Sequence, residues 1–436
     1  MKLSITLLLS LLIGLSASAQ TIEERVEELE IARTLNIFKF SGDLTLFYDG
    51  IELENGTSSE VDDTTYSTRL WAGINFNANP YDDVKFYGRL AVSKFFNEAF
   101  GSEERVADTS ASRSQAGPQV YLEKAYFDYS VLDSLIISAG RLPTSDGVPT
   151  NYITGQARMG TYPRLAYGAL LDGVGLTYKL GSLFGEDLSF RTIYTPFNAP
   201  TFQSDIINKE TTGNDDSHSD TYAVHLDWNK RDTSIARNIN VFVQYLKVSD
   251  LNVPDQFVGA GNTVAVLDSD LALNLTYLTY HLELEDIANS GVNLAFSYLQ
   301  TKTANKGTGI DLTNIGTSAS VGFNVNDPNG EVDGDGFLVS ASWRVGSSGV
   351  ILGAEYLSSD DDYGYFDLYD WNLTNFYATR GTGTHVYATY QIKPTFTLTA
   401  GYRSQDYSAY TTGLGGADTD TDREVTTMYL MNSLTF

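Results

Sequence analysis

Residues Ile37–Ile51, IFKFSGDLTLFYDGI, decide the fold. Phe38, Phe40, Leu44, Leu46 and Tyr48 fall on even positions, and Lys39, Ser41, Asp43, Thr45 and Asp49 on odd ones. A period of two sends side chains alternately to the two faces of a β-strand. One face is therefore apolar and ends in aromatics, and the other is polar and charged. A single copy describes any half-buried strand, so the recurrence of the pattern and the spacing of its copies carry the argument.

The pattern returns along the rest of the chain. In Tyr66–Ala78, Tyr66, Thr68, Leu70, Ala72, Ile74 and Phe76 oppose Arg69, Asn75 and Asn77. In Val84–Val92, Val84, Phe86, Leu90 and Val92 oppose Lys85, Tyr87 and Arg89. Further copies run to Val425–Phe436, with weaker ones at Tyr121–Val131 and Leu135–Arg141. Connections alternate in length. Short turns lie near Asn79-Pro80, Asp133-Ser134, Leu183–Gly185, Lys230–Ala236, Glu285–Ser290, Gly346–Gly349 and Lys393-Pro394. Long polar segments lie between them, among them Gly50–Thr65, Phe96–Gln119, Leu142–Tyr167, Thr301–Gly336 and Ser358–Thr384. Seven short turns and eight long loops give 16 antiparallel strands with both termini on the short-turn side. Ser318–Val325 could add a hairpin and raise the count to 18. Short turns on one side and long loops on the other are the layout of an all-β transmembrane barrel of the outer membrane. Aromatics cluster at strand ends on the apolar face (Phe40 and Phe76 low, Tyr48 and Tyr66 high), as membrane interfaces demand.

Composition bounds the function. The net charge of -27 disfavours nucleic acid, whose phosphates it would repel. Tyr 28 and Phe 22 against Pro 10 suit many strands. The chain has no cysteine, so thiol and disulfide chemistry are absent. Beyond the N-terminus no apolar run reaches the roughly 18 residues of a transmembrane helix. Met1–Ala19 reads as a signal peptide, with Lys2, the apolar Leu7–Leu15 and Ala17-Ser18-Ala19 before the cleavage point. Residues 20–36 read as a short periplasmic amphipathic helix, with Ile22, Val26 and Leu29 on one stripe. The barrel then occupies 37–436, which leaves no room for the plug of an energy-coupled transporter.

The terminal Phe436, with Leu434 and Leu430 at alternate positions before it, resembles the assembly signal of Gram-negative outer-membrane porins. Asn432 departs from that pattern. More narrowly, Gly140–Tyr167, GRLPTSDGVPTNYITGQARMGTYPRLAY, resembles a porin-like family known as a domain of unknown function. The resemblance implies passive diffusion of small hydrophilic solutes or ions, a homotrimer, contacts with outer-membrane lipid and lipopolysaccharide, and handling by the barrel-assembly machinery. In general porins the third long loop narrows the pore, which here is Leu142–Tyr167.

If the apolar face meets lipid, the other lines the lumen. Lys39, Arg69, Lys85, Arg89, Arg191, Arg344 and Arg403 fall there, with Asp43, Asp227 and Glu355. Leu142–Tyr167 carries Pro143, Pro149 and Pro163, which stiffen it, and Gly147, Gly155 and Gly160, which allow tight turns. Arg141, Arg158 and Arg164 against Asp146 would make an anion-leaning constriction. The bland alternative is that lumen charges pair with one another.

Other chemistry has less support. Asp327–Gly336, DPNGEVDGDG, invites calcium, but both EF-hand registers lack the acid at position 12, so no cofactor or metal is expected beyond weak loop-bound calcium. His218, His225, His281 and His385 lack metal-ligand spacing, and no catalytic residue is assigned. A non-porous adhesin or structural barrel and a barrel enzyme are the rival functions, because fold alone does not exclude them.

Overall fold

A computed structural model describes residues 38–54, 63–96, 120–183, 186–198, 218–252, 272–306, 331–365, 372–408 and 423–436. The expected signal peptide and leader helix lie outside these residues. The strands are β1 Phe38–Glu54, β2 Asp63–Tyr81, β3 Val84–Phe95, β4 Tyr121–Leu132, β5 Leu135–Arg141, β6 Asp172–Leu183, β7 Glu186–Asn198 and β8 His218–Arg231. They continue with β9 Ala236–Asn252, β10 Ala272–Ile287, β11 Val292–Lys306, β12 Glu331–Arg344, β13 Val350–Ser359, β14 Gly381–Lys393, β15 Phe396–Tyr407 and β16 Arg423–Thr435. Each pairs with its sequence neighbour, and β1 pairs with β16 from Asp43↔Thr435 to Glu54↔Glu424. The sheet is thus a closed 16-stranded antiparallel barrel. Closure leaves no open edge, so every strand finds backbone partners on both sides where lipid offers none.

β11 and β12 pair directly, from Ala304↔Glu331 to Val292↔Trp343, so no hairpin separates them in the wall and the 18-strand alternative fails. Ser318–Val325 lies outside the described residues. β2 runs on through Asn79 and Pro80 to Tyr81, where a register shift accommodates the proline, which cannot donate to the ladder. β12 starts at Glu331, so Glu331–Gly336 are extended strand, and residues 327–330 of the expected acidic loop lie outside the described residues.

Alternation sorts the two faces. On β1, Phe40 and Tyr48 point outward at 70% and 50% exposure, while Thr45, Phe47 and Asp49 are buried inside. Outward aromatics meet across strands at the long-loop end: Tyr48 with Tyr66 at 6.3 Å and Tyr194 with Tyr222 at 5.0 Å between centroids. Phe76 and Phe86 do so at 5.9 Å near the opposite end. β4 explains its own weak pattern. The register shifts between Arg89 and Leu90, so Glu123 and Lys124 are both on the inner side and the parity of the strand reverses after them. Tyr126 and Asp128 then face inward while Phe127 and Tyr129 face out.

Leu176 lies mid-strand on the outer face of β6, between Val174 and Tyr178. Leu176→Arg is expected to destabilise the barrel by about 2–4 kcal/mol, because an arginine at mid-bilayer depth faces hydrocarbon. Denaturant titration of protein folded into lipid vesicles reads this directly.

Candidate functional site: the barrel interior

The segment between β5 and β6 does not stand above the barrel; it crosses the interior. Its outgoing limb reaches a short helix, α1 (Thr150–Thr154), and its returning limb runs back alongside. Arg164 N–H donates to Val148 O at 2.8 Å and Gly160 N–H to Asp146 O at 3.1 Å. The limbs approach so closely that a Cβ at Gly147 would overlap Tyr162 O and one at Gly160 would overlap Ser145 O. Gly155 instead closes α1 in the left-handed region, with φ 66°.

This loop bonds to walls on both sides. Lys124 Nζ of β4 donates to Met159 O at 2.7 Å. Gln244 of β9 donates to Ala166 O at 3.1 Å. Across the lumen, Thr389 Oγ1 of β14 donates to Ile153 O at 2.7 Å. Tyr152 Oη donates to Glu283 Oε1 of β10 at 3.0 Å. Burial and the Glu283 carboxylate push the Tyr152 hydroxyl far above its ordinary pKa, so it keeps the proton it donates. Tyr167 Oη lies 2.8 Å from His225 Nε2 of β8.

A second segment, residues 360–365 and 372–380 between β13 and β14, packs onto the first. Tyr365 Oη donates to Arg164 O, and the Arg164 guanidinium lies 5.1 Å from the Tyr377 ring centroid. Tyr277 Oη donates to Gly364 O at 2.8 Å, and Gly364 N–H to Thr301 Oγ1 at 3.0 Å. Leu165, Tyr363, Phe376 and Tyr377 join Phe242, Leu299 and Leu357 in one apolar cluster inside the barrel. The interior on this side is packed like the core of a soluble protein.

The expected constriction residues separate. Asp146 and Arg164 meet at 3.8 Å, both fully buried. Arg158 pairs with Glu283 on the far wall and keeps 30% exposure toward open space. Arg141 does not reach the interior. It shares the outer face of Phe127 and Val174 and pairs with Asp172 at 2.6 Å, because cross-strand partners Ala125 and Asp172 fix its side.

Three of the wall arginines are paired with carboxylates. Arg69 pairs with Asp49 at 2.7 Å. Arg89 pairs with Asp43 at 2.6 Å and Glu123 at 3.0 Å, lying across Gly73, where a Cβ would overlap it. Arg191 pairs with Asp227 at 3.2 Å. Arg403 lies 4.6 Å over the Tyr429 ring and is buried. Lys39, Lys85 and Arg344 are exposed at the short-turn rim, with Arg344 donating to Gln391 Oε1 at 3.1 Å. Removing charges from water in such a space is costly unless each finds a partner.

His225, His281 and His385 are buried. His385 Nδ1 is 2.6 Å from Glu355 Oε2 and its Nε2 is 2.9 Å from Tyr429 Oη, and neither His385 nor His225 is exposed.

Sequence reading did not find Glu123, because the bulge in β4 hides its parity, nor Glu283. It also treated 360–380 as solvated acidic loop. The signal there is the run 363–378, YGYFDLYDWNLTNFYA, which is too aromatic for a segment that only faces water.

A closed 16-stranded barrel with an apolar aromatic-ended exterior, long loops on one side and a loop folded into its interior defines an outer-membrane barrel of the porin type. The chain belongs to the family described as "Protein of unknown function (DUF3373)", which matches residues 59–417. It is similar in fold to an anion-selective porin from Comamonas acidovorans, at 12% identity and TM-score 0.51, covering 92% of this chain and 99% of that one. OprB of Pseudomonas putida, in its high-pH structure, aligns with 11% identity and TM-score 0.51 over 94% of this chain and 96% of that one. No curated protein sequence matches the chain.

Two outcomes test the docking of the two segments. Glu283→Ala leaves Arg158 and the Tyr152 hydroxyl without their acid, so loop docking should weaken by about 3 kcal/mol; faster trypsin cleavage after Arg158 in the folded barrel reports it. Asp360, at the base of the second segment, accepts from the N–H groups of Asp335 and Asp362. Burial first, and then the neighbouring Asp335 carboxylate, raise its pKa to about 6. A raised acid favours the protonated folded form, so its stabilisation is complete below the unfolded value of 3.8 and is lost as pH rises through about 6. Proteolysis of segment 360–380 should accordingly be slower at pH 5 than at pH 8, and Asp360→Asn should flatten that difference.

Proposed function

We propose that the protein is an outer-membrane diffusion porin for small hydrophilic solutes and ions, with a narrow route beside the loop at 142–171. The observation that carries this is that loop, bonded to β4 on one side and to β10 and β14 on the other, so that it divides the interior instead of closing over it. Open space remains on both sides of it. A cavity of about 270 Å³ lies against β16, β1 and β2, and another of about 210 Å³ lies against β4 to β7. The fold likeness to a solved porin supports the same reading.

Charge pairing sets the expected selectivity. An open basic constriction would favour anions, but Arg69, Arg89, Arg158, Arg164 and Arg191 each have a carboxylate within 4.0 Å. Little net field is left to sort ions, so selectivity is weak. A homotrimer, lipopolysaccharide at the rim and passage through the barrel-assembly machinery belong to this reading.

Planar-bilayer recordings of the detergent-refolded protein should give small discrete conductance steps with a reversal potential near zero in a salt gradient. Arg158→Glu sets a second carboxylate against Glu283 and should move that potential toward cations. A well-folded barrel that gives no steps would favour a display or structural barrel instead.

A further inference from the structure

The cavity against β4 to β7 has charges of both signs open to it. It lies between the 142–171 loop, at Pro143 and Thr161, and the inner wall. On β6 and β7 four of its lining side chains form one block, with Thr177 opposite Arg191 and Lys179 opposite Ser189. The two cations stand on the diagonal of that block, about 7–8 Å apart at Cα, with a hydroxyl residue on either side. Lys179 is exposed, and among the described residues its ammonium has no ion-pair partner. Arg191 keeps 20% exposure while it pairs with Asp227 at 3.2 Å. Thr161, on the loop side of the cavity, is exposed as well.

The opposite sign comes from β4. Asp128 is partly exposed and accepts from Ser138 Oγ at 2.6 Å. A hydroxyl orients a carboxylate but leaves its charge standing. Lys85 lies opposite Asp128 on β3, yet among the described residues the two form no ion pair. Lys179 forms none with it either, because β5 stands between β4 and β6 and holds the two backbones roughly 9 Å or more apart, twice the strand spacing. With Asp227 counted against Arg191, the charge here sums to zero. An anion gains at Lys179 and loses at Asp128, and a cation does the reverse. A solute that carries both signs is matched at both ends.

We propose that this cavity is a binding site for a short zwitterion, an amino acid or comparable solute whose ammonium and carboxylate stand several bonds apart. The ammonium donates to the Asp128 carboxylate. The carboxylate accepts from Lys179 Nζ and the Arg191 guanidinium, with the Ser189 and Thr161 hydroxyls beside them. Hydrogen bonds between charged partners are the strong ones, and each end of the solute makes one here. At about 210 Å³ the space falls below the roughly 300–1,000 Å³ of drug-sized pockets, so it holds one compact molecule. The site rests on the porin reading for its role in diffusion, where a zwitterion passing the loop exchanges water for two charged contacts. Binding itself does not need an open pore.

The test uses the full-length, detergent-folded protein and three probes on one carbon skeleton: γ-aminobutyrate, butyrate and butylamine. Titration followed by saturation-transfer NMR should show γ-aminobutyrate binding about tenfold more tightly than either singly charged probe. Lys179→Gln should weaken γ-aminobutyrate about tenfold and bring it level with butylamine, and Asp128→Asn should bring it level with butyrate. A loss shared equally by all three probes overturns the role given to that side chain. Equal binding of butyrate and γ-aminobutyrate by the wild type, or affinities that both substitutions leave unchanged, overturns the site. Planar-bilayer recordings separate the two readings. Conducting barrels that do not bind γ-aminobutyrate overturn the site and leave the porin standing. Folded barrels that bind it and give no conductance overturn the porin and keep the site.

Discussion

Everything in this molecule follows from the requirement that backbone N–H and C=O groups in a bilayer be satisfied within the protein. A sheet meets it only by closing on itself, and β1 pairing with β16 does so. Closure makes two surfaces of different character from one period-two pattern. The outer surface meets lipid and needs no packing partner. The inner surface is enclosed, so whatever the sequence places there has to be solvated, paired or packed.

The protein uses all three solutions, in different parts of the lumen. On the β8 to β14 side, two connecting segments fill the space with an apolar cluster that includes Leu165, Phe242, Tyr363 and Phe376. Along β1 to β4, arginines lie across the wall, each neutralised by a carboxylate and seated on an aromatic ring. Glycines at points of closest approach make this possible. Gly73 leaves room for Arg89, and Gly401 for the Tyr429 ring. The remaining space lies beside the 142–171 loop. Arg89, Arg158 and Arg164 around it are each paired with a carboxylate, and on the proposed reading this weakens the anionic preference expected from the arginines alone.

The loop itself is a compact piece of structure. Two antiparallel limbs, brought into close contact at two glycines, carry a short helix to the opposite wall. Tyr152, Ile153 and Arg158 at its far end are the anchors, on β10 and β14. Because the second segment is bonded to the first through Tyr365 and Arg164, the two share a common stability. Weakening either anchor should therefore loosen both.

While the loop that enters the lumen was expected from the resemblance to general porins, the alternation of long and short connections and the lipid-facing side of the strands are legible in the sequence alone, which leaves 16 strands against 18. These are local or periodic features, and a period of two reads through to a face without knowledge of any partner. It was misleading where geometry breaks the period, since the bulge in β4 put Glu123 beside Arg89, and Arg141 keeps the outer face that the regular alternation of β5 gives it, beside Asp172. Only the tertiary structure decided which charges meet, since Arg158 and Glu283 are 125 residues apart in the chain and adjacent across the lumen. It also decided that an acidic-looking segment between β13 and β14 buries Tyr363, Tyr365, Phe376 and Tyr377 inside the barrel. The physical reason is one: alternation fixes which side of a wall a residue faces, whereas pairing and plugging depend on what the closed wall brings opposite it.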